Sequence, residues 1–285
     1  MAERALVVKL GGELLEESDR LAIAVAALKT IAAAGPLVVV HGGGKEIDAA
    51  LKAAGIEKRQ VDGLRVTDDA TLEVVVAVLA GAVNTRFVAA LNIAGVPAVG
   101  LTGADASCGL AATAPPHHAV DGRVVDLGRV GVPESGADMR LLHTLTAERF
   151  VPVIACIGLG RDGRLLNVNA DTFAGHLAAR LRARRLVIAG TTPGVLDGAG
   201  TTIPALGADG IARLVNEGTA TTGMIAKLRA CEQALAAGVD DVVIVDGRTA
   251  ETLAAAAASS VPAAATRLVA HTLVAQAFRP AGGQP

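Results

Sequence analysis

An α/β fold, with a largely parallel sheet covered by helices on both faces, is what this sequence predicts. Three observations point to it. Short runs rich in Val, Ile and Leu alternate with longer helical stretches. Apolar residues make up 52% and charged residues 19%, a balance that predicts a large buried core. The 33 Gly and 11 Pro fall between the apolar runs as turn punctuation.

Residues 5–10, 37–41, 98–101, 151–157, 186–189 and 242–245 read as buried strands. Their continuous β-branched content suits a parallel sheet hidden on both sides. Helical patterns lie at 18–33, 45–54, 69–94, 137–148, 170–182, 208–217, 225–237 and 250–257. Strand, helix and strand in succession make right-handed βαβ units. Residues 120–132 differ, because Asp121-Gly122 between short alternating runs signals a hairpin. Asp162-Gly163 repeats the signal. The segment 254–258 is low in complexity but is helix-forming Ala.

A boundary falls near 181–185, where Arg180, Arg182, Arg184 and Arg185 interrupt the apolar pattern and a new βα series begins. It divides the chain into 1–181 and 182–285, with the Gly/Pro-rich 279–285 expected to be disordered. The arginine cluster reads as a solvated helix end, with nucleotide phosphate as the other reading.

Composition excludes several functions. The net charge of −2 gives no basis for nucleic-acid or anionic-membrane binding. With four Phe and neither Trp nor Tyr, no aromatic platform can stack bases. The longest uncharged run, 87–104, holds Asn92, Pro97 and several Gly, so it reads as helix end, turn and strand rather than a membrane span. The start, Met-Ala-Glu-Arg, leads into a strand without a signal-peptide apolar region. Cys108, Cys156 and Cys231 are scattered and odd in number, which suits three small buried hydrophobes in a reducing cytoplasm. The six His show no metal-site spacing, so no protein metal site is expected.

Two strands run into glycine clusters, Lys9-Leu10-Gly11-Gly12 and His41-Gly42-Gly43-Gly44. Glycines let an anion approach the backbone, and a following helix offers free N–H groups. Lys9 at the end of an apolar strand calls for an anionic partner. Gly42-Gly43-Gly44-Lys45 is not a P-loop, since Glu46 stands where Ser or Thr is needed. Gly158-Leu159-Gly160-Arg161-Asp162-Gly163 matches a dinucleotide fingerprint, but a strand follows it and no helix.

In Asn167-Val168-Asn169-Ala170-Asp171, three polar side chains alternate along an extended segment and are expected on one side. Asn169 or Asp171 serves as N-cap, Asn167 as a substrate hydrogen-bonder, and Asp171 as an organiser of lysines. Lys227 is either a solvated helical lysine or a cation for a bound anion. Arg65, before the helix that Thr67 or Asp68 caps, is either a surface arginine or a bidentate carboxylate partner. His41 is read as a structural hydrogen-bonding group.

Together the ordered motifs Lys9–Gly12, His41–Gly44, Gly63-Leu64-Arg65-Val66-Thr67, 167–171 and Gly223-Met224-Ile225-Ala226-Lys227 resemble the amino-acid kinase family, over residues 4–270. Within it they are most similar to the branch acting on N-acetyl-L-glutamate. The resemblance implies an open αβα sandwich with a mainly parallel central sheet and two lobes, 1–181 for the acyl-amino acid and for dimerisation, and 182–285 for nucleotide. It implies ATP-dependent phosphorylation of the γ-carboxylate of N-acetyl-L-glutamate, in arginine biosynthesis, with Mg²⁺ bound with the nucleotide. It assigns catalysis to Lys9, Lys227 and Asp171, and substrate binding to Gly43, Gly44, Arg65 and Asn167. Gly11, Gly12, Thr191, Thr192, Gly194, Val195, Leu196, Gly223 and Met224 are assigned to nucleotide and phosphate.

The chemistry agrees with that assignment. A carboxylate nucleophile is ionised at pH 7, so no general base is needed, and catalysis is positioning plus neutralisation of charge. The loop 189–197 lacks the acidic residue usual in the family, and Ala265 stands where Gly is usual. Adenine would rest on aliphatic side chains. With about five residues before the first strand, an arginine-insensitive cytoplasmic homodimer is expected, with 71–94 at its interface. Alternatives are a kinase of N-succinylglutamate or carrier-linked aminoadipate, or a non-catalytic sensor.

Overall fold

A computed structural model describes residues 3–216, 222–258 and 261–269. The chain opens with β1 (Leu6–Leu10), α1 (Ser18–Ala34), β2 (Leu37–His41), α2 (Gly44–Ala53), β3 (Gln60–Val61) and β4 (Leu64–Arg65). It continues through α3 (Asp69–Val76), α4 (Asn84–Ile93), β5 (Ala98–Thr102), β6 (Ala111–Thr113), β7 (His117–His118), β8 (Val124–Val125) and β9 (Val130–Pro133). Next come α5 (Arg140–Ala147), β10 (Val151–Ala155), β11 (Ile157–Leu159), β12 (Leu165–Val168), α6 (Ala170–Arg180) and β13 (Arg185–Gly190). The last part holds β14 (Ala205–Leu206), α7 (Ala208–Asn216), α8 (Thr222–Ala236), β15 (Val242–Asp246), α9 (Ala250–Ala257) and β16 (Ala265–Leu268).

Eight strands form one sheet in the order β14-β16-β15-β13-β1-β2-β10-β5. Every neighbouring pair is parallel except β15 with β16. The sheet runs unbroken across the expected boundary at 181–182, because β1 pairs with β2 on one side and β13 on the other. That makes β1 the switch point of the strand order, where α/β sheets open a crevice at the strands' carboxyl ends.

Side chains alternate between the two faces of a strand. Leu6, Val8 and Leu10 join one core with residues of α1, α4 and α9, whereas Val7 joins the other with residues of α6 and α8. Lys9 shares the parity of Val7, so it faces α6 and α8. By the same alternation His41, following Leu37 and Val39, faces the core that α4 covers.

The hairpins at Asp121-Gly122 and Asp162-Gly163 form, as β7–β8 and β11–β12, with Gly122 and Gly163 at φ +84° and +82°. The second confirms that the G-x-G-x-x-G match is a hairpin. A third hairpin, β3–β4, turns at Asp62-Gly63, and the sequence reading passed over it. The continuous strand expected over 151–157 is two strands, with β11 leaving the main sheet for a four-stranded one.

α3 and α4 are joined through a π-helical segment, Ala77–Val83, into 25 helical residues. By length and composition alone this stretch is apolar enough to cross a membrane. Leu79, Val83, Phe87 and Leu91 are instead buried in the two cores. The expectation of a solvated arginine end is corrected at Arg185, which is buried and donates to Asp241 from Nε at 2.9 Å. It begins β13, at the opposite end of that strand from the crevice. All three cysteines are buried and free. The segment 279–285 lies outside the described residues.

Candidate active site

Three charged side chains meet where β1, α6 and α8 converge. Lys9 Nζ lies 2.7 Å from Asp171 Oδ1, and Lys227 Nζ lies 3.6 Å from Asp171 Oδ2. Burial alone would lower the Lys9 pKa, but the charge of Asp171 outweighs it and holds Lys9 above the ordinary lysine value. Burial would raise the Asp171 carboxyl, and the two lysines hold it below its usual range instead. Lys227 is lowered, first by burial and then by the charge of Lys9, with Asp171 only partly offsetting them. One carboxylate thus holds two cations close together, and the pair still has capacity for an anion.

Each of the three is placed by local structure. Asn169 caps α6, its Oδ1 accepting from the N–H groups of Asp171 and Thr172 at 3.0 and 3.1 Å. The cap starts the helix and carries Asp171 round to the lysines. This corrects the expectation that Asn167, Asn169 and Asp171 share one side of an extended segment. The strand ends at Val168, so Asn169 is a cap and Asp171 a helix residue. Lys227 sits in the second turn of α8, which packs along α6. In α6, Gly175 lets the helices approach, since a Cβ there would lie 3.2 Å from Ala234 Cβ.

A cavity of about 210 Å³ adjoins this cluster and is lined by Gly43, Gly44, Ile47, Arg65, Cys156 and Asn167 among others. All four residues expected to bind the acyl-amino acid line it. Arg65 is held by Asp48 and donates to Gly44 O at 3.4 Å, while its other terminal nitrogen is buried without a partner. That donor suits a carboxylate. Asn167 donates to Thr67 Oγ1 at 3.1 Å, and Thr67 Oγ1 donates to Arg65 O at 3.1 Å. Asp68, rather than Thr67, caps α3. Sequence reasoning missed Asp48 and Thr67 as supports of the pocket.

The glycine loops close over each other. A Cβ on Gly12 would come within 2.6 Å of Gly43 Cα, so the loops after β1 and β2 touch only because both lack side chains. Gly11 N–H donates to Ala189 O and Gly42 N–H to Leu10 O, which uses both amides inside the sheet. Gly11 therefore offers no free donor, and the space a Cβ would fill there holds the Glu13 carboxylate.

Behind Gly42, His41 forms a closed network. Nδ1 lies 3.1 Å from the Gly42 carbonyl and Nε2 3.0 Å from Asn84 Nδ2, which also donates to Val153 O at 2.9 Å. The carbonyl requires the proton on Nδ1, so Nε2 accepts from Asn84. Burial pushes His41 down to about 4, and the ring is neutral.

The loop after β13 holds the expected nucleotide residues. Thr191 is half-buried, and Thr192 and Leu196 are exposed. Gly194 has φ +79°, and Val195 is buried with its N–H donating to Thr266 Oγ1 at 2.7 Å. Thr266 Oγ1 donates onward to Ile203 O at 2.6 Å, tying the loop to β16. Gly223 is exposed and Met224 half-buried in the first turn of α8. The loop begins one strand away from Lys9, because β13 pairs with β1 as far as Ala189 and Leu10.

An open α/β sheet with two glycine loops and a lysine–aspartate–lysine cluster at its carboxyl edge is the frame of a phosphoryl-transfer protein. The chain belongs to the amino acid kinase family, whose sequence profile matches residues 4–246. It is 42% identical over 254 residues to an acetylglutamate kinase of Rhodopseudomonas palustris (strain BisA53), covering 87% of this chain and 84% of the relative. It is likewise 42% identical over 253 residues to an acetylglutamate kinase of Bradyrhizobium diazoefficiens, covering 86% and 85%. Among solved structures, N-acetylglutamate synthase from Neisseria gonorrhoeae, complexed with coenzyme A and N-acetyl-glutamate, superposes with a TM-score of 0.78 at 25% identity. The match covers 94% of this chain and 60% of that one. A carbamate kinase from Giardia shares the fold at a TM-score of 0.66 and 16% identity, over 95% of this chain and 100% of that one.

Proposed function

We propose that this chain is an ATP-dependent kinase of the γ-carboxylate of N-acetyl-L-glutamate, forming N-acetyl-L-glutamyl 5-phosphate for arginine biosynthesis. The observation that carries the reading is the Lys9–Asp171–Lys227 cluster beside a pocket with an unpartnered Arg65 nitrogen. The relatives' shared name supports the acetylated substrate.

In this reading Arg65 and Asn167 hold the acyl-amino acid, and Gly43 and Gly44 let it lie against backbone. The γ-carboxylate oxygen forms a bond to the γ-phosphorus of ATP, the bond to the bridging oxygen breaks, and ADP leaves with that electron pair. Lys9 and Lys227 meet the charge gathering on the transferring group, and Asp171 keeps both aimed. Mg²⁺, when bound with the nucleotide, supplies further neutralisation. Asp171 is committed to two lysines, and among the described residues the Glu13 carboxylate, lying over Gly11, would suit the cation.

The same reading places the acyl-amino acid on 1–181 and nucleotide on 182–285, in the cytoplasm. It also includes a homodimer formed through the α3–α4 stretch and the sheet-edge strand β5, where Ile93 is 89% exposed. A hydroxylamine trap with N-acetylglutamate and Mg-ATP tests the activity. Acyl-hydroxamate and ADP in equal amounts are expected. Faster turnover of N-succinylglutamate or a carrier-linked aminoadipate would reassign the substrate, and ligand binding without ADP release would leave a sensor.

A further inference from the structure

We propose that Glu13 is a direct protein ligand for the divalent cation that accompanies the nucleotide, which rests on the kinase reading above. Glu13 follows the first glycine pair, and its side chain folds back over Gly11, where any Cβ would collide with its carboxylate. The same Oε1 lies 3.2 Å from where a Cβ of Gly190 would sit. The carboxylate thus spans the tips of β1 and β13, the two strands that bring the lysine cluster and the nucleotide loop together. Among the described residues no hydrogen bond or ion pair engages it, although Glu13 is half-buried. Its charge nevertheless reaches both Lys9 and Lys227 and favours their protonated forms.

Charge balance gives this carboxylate a task. Lys9 and Lys227 carry two positive charges, and Asp171 and Glu13 carry two negative ones. Glu13 offsets part of the lysines' positive charge, and so without a cation it weakens their hold on a polyanionic nucleotide. A divalent cation carried on the phosphates reverses the balance, and Glu13 then changes from a repelling group to a binding one. The donor chemistry fits, because Mg²⁺ and Mn²⁺ take hard oxygen ligands, usually one or two carboxylates with phosphate oxygens and water. The other acidic side chain in the cluster, Asp171, has both oxygens turned to lysines.

The test follows free Mn²⁺ by electron paramagnetic resonance while wild type, Glu13→Gln and Glu13→Asp are titrated with a non-hydrolysable ATP analogue. Mn²⁺ affinity in the ternary complex is expected to fall on the order of tenfold in Glu13→Gln. Glu13→Asp, which keeps a carboxylate, is expected to recover part of it. With EDTA present, the analogue alone is expected to bind the Gln variant at least as well as wild type. Mn²⁺ held equally or more tightly by a folded Glu13→Gln, with normal analogue binding, overturns the ligand role and makes Glu13 only a repelling charge. Failure of the wild type to take up the analogue at all overturns the kinase reading and the ligand role with it.

Discussion

Asp171 Oδ1 stands 2.7 Å from Lys9 Nζ while its other oxygen faces Lys227 at 3.6 Å, so one buried carboxylate is shared by two cations. Asp171→Asn removes the carboxylate that both lysines face. At least a hundredfold loss in kcat is expected, the scale for losing electrostatic support of a transition state. The pH profile separates this role from a merely structural one. Lys227 already titrates below the ordinary lysine value, through burial and the charge of Lys9, and the charge of Asp171 is the largest influence raising it. A lysine acts here as a cation, so activity falls as pH rises through its pKa. The alkaline limb of kcat/KM is therefore expected at lower pH in Asp171→Asn than in wild type. An unmoved limb would count against the shared carboxylate. Lys9→Ala is expected to lose at least two orders of magnitude in rate.

Arg65 presents one terminal nitrogen to Asp48 and leaves the other buried without a partner. Lysine keeps the charge but cannot hold Asp48 and a substrate carboxylate in one planar fork. Losing a charge-assisted hydrogen bond of about 2 kcal/mol corresponds to roughly thirtyfold. Arg65→Lys is expected to raise the KM for the acyl-amino acid by that factor and to leave the KM for ATP near its wild-type value. Steady-state kinetics with each substrate varied in turn decides it, and equal effects on both would remove Arg65 from the acyl site.

Much of this arrangement was legible in the sequence, and what escaped did so for identifiable reasons. Lys9 declared itself because a lysine inside an apolar strand has few structural excuses, and strand parity then aims it at α6. The small elements β6, β14 and β16 escaped because two to four residues carry no period to count. Asn169 is legible as a cap, but the side it was expected to share with Asn167 and Asp171 is not kept, because the strand ends at Val168 and an alternating pattern holds only while the strand lasts. Asp48 and Thr266 were invisible for a different reason. Each acts on a residue distant in sequence, Arg65 and Val195, and nothing local marks a side chain by its tertiary partner.

Thr266 gives the nucleotide side a test of its own. Its hydroxyl is fully buried, accepts from Val195 N–H and donates to Ile203 O. Thr266→Val keeps the shape and removes both bonds, leaving a buried amide unpaired at a cost of about 1–3 kcal/mol. A lower urea midpoint and a raised KM for ATP are expected together. Lost stability with unchanged ATP binding would detach the loop 191–196 from the nucleotide.

His41 makes stability sensitive to mild acid. In the folded chain burial holds it down to about 4, whereas an unfolded histidine titrates near 6.5. Between those values the unfolded state binds the proton and the folded state does not, so stability falls as pH drops through that window and is complete above it. The shift corresponds to about 3 kcal/mol. Asp171 and Asp48, whose pKa values are lowered below the ordinary carboxylate value, add their losses only further into acid. Urea midpoints from pH 7 to pH 4 are expected to fall less steeply in His41→Gln, which can still accept from Asn84. His176, also lowered by burial, remains in both proteins, so the difference isolates His41. Parallel slopes would contradict the buried neutral ring.

Two glycines, Gly12 and Gly44, separate fold from function within one site. A methyl on Gly12 would meet Gly43 Cα at 2.6 Å and Gly43 N at 2.8 Å, both backbone atoms held by their own strand and helix. Neither can yield without parting the loops that follow β1 and β2. Gly12→Ala is therefore expected to lower Tm and abolish activity. A methyl on Gly44 meets nothing within 4 Å and projects from a residue lining the acyl pocket. Alanine is also the better helix former at that first position of α2, so Gly44→Ala is expected to keep or slightly raise Tm. It nevertheless takes space from the pocket, and the KM for the acyl-amino acid is expected to rise with little change for ATP. Thermal melts and two-substrate kinetics on the pair decide the matter, since a Gly44→Ala enzyme with wild-type KM would show that the substrate does not lie against that backbone.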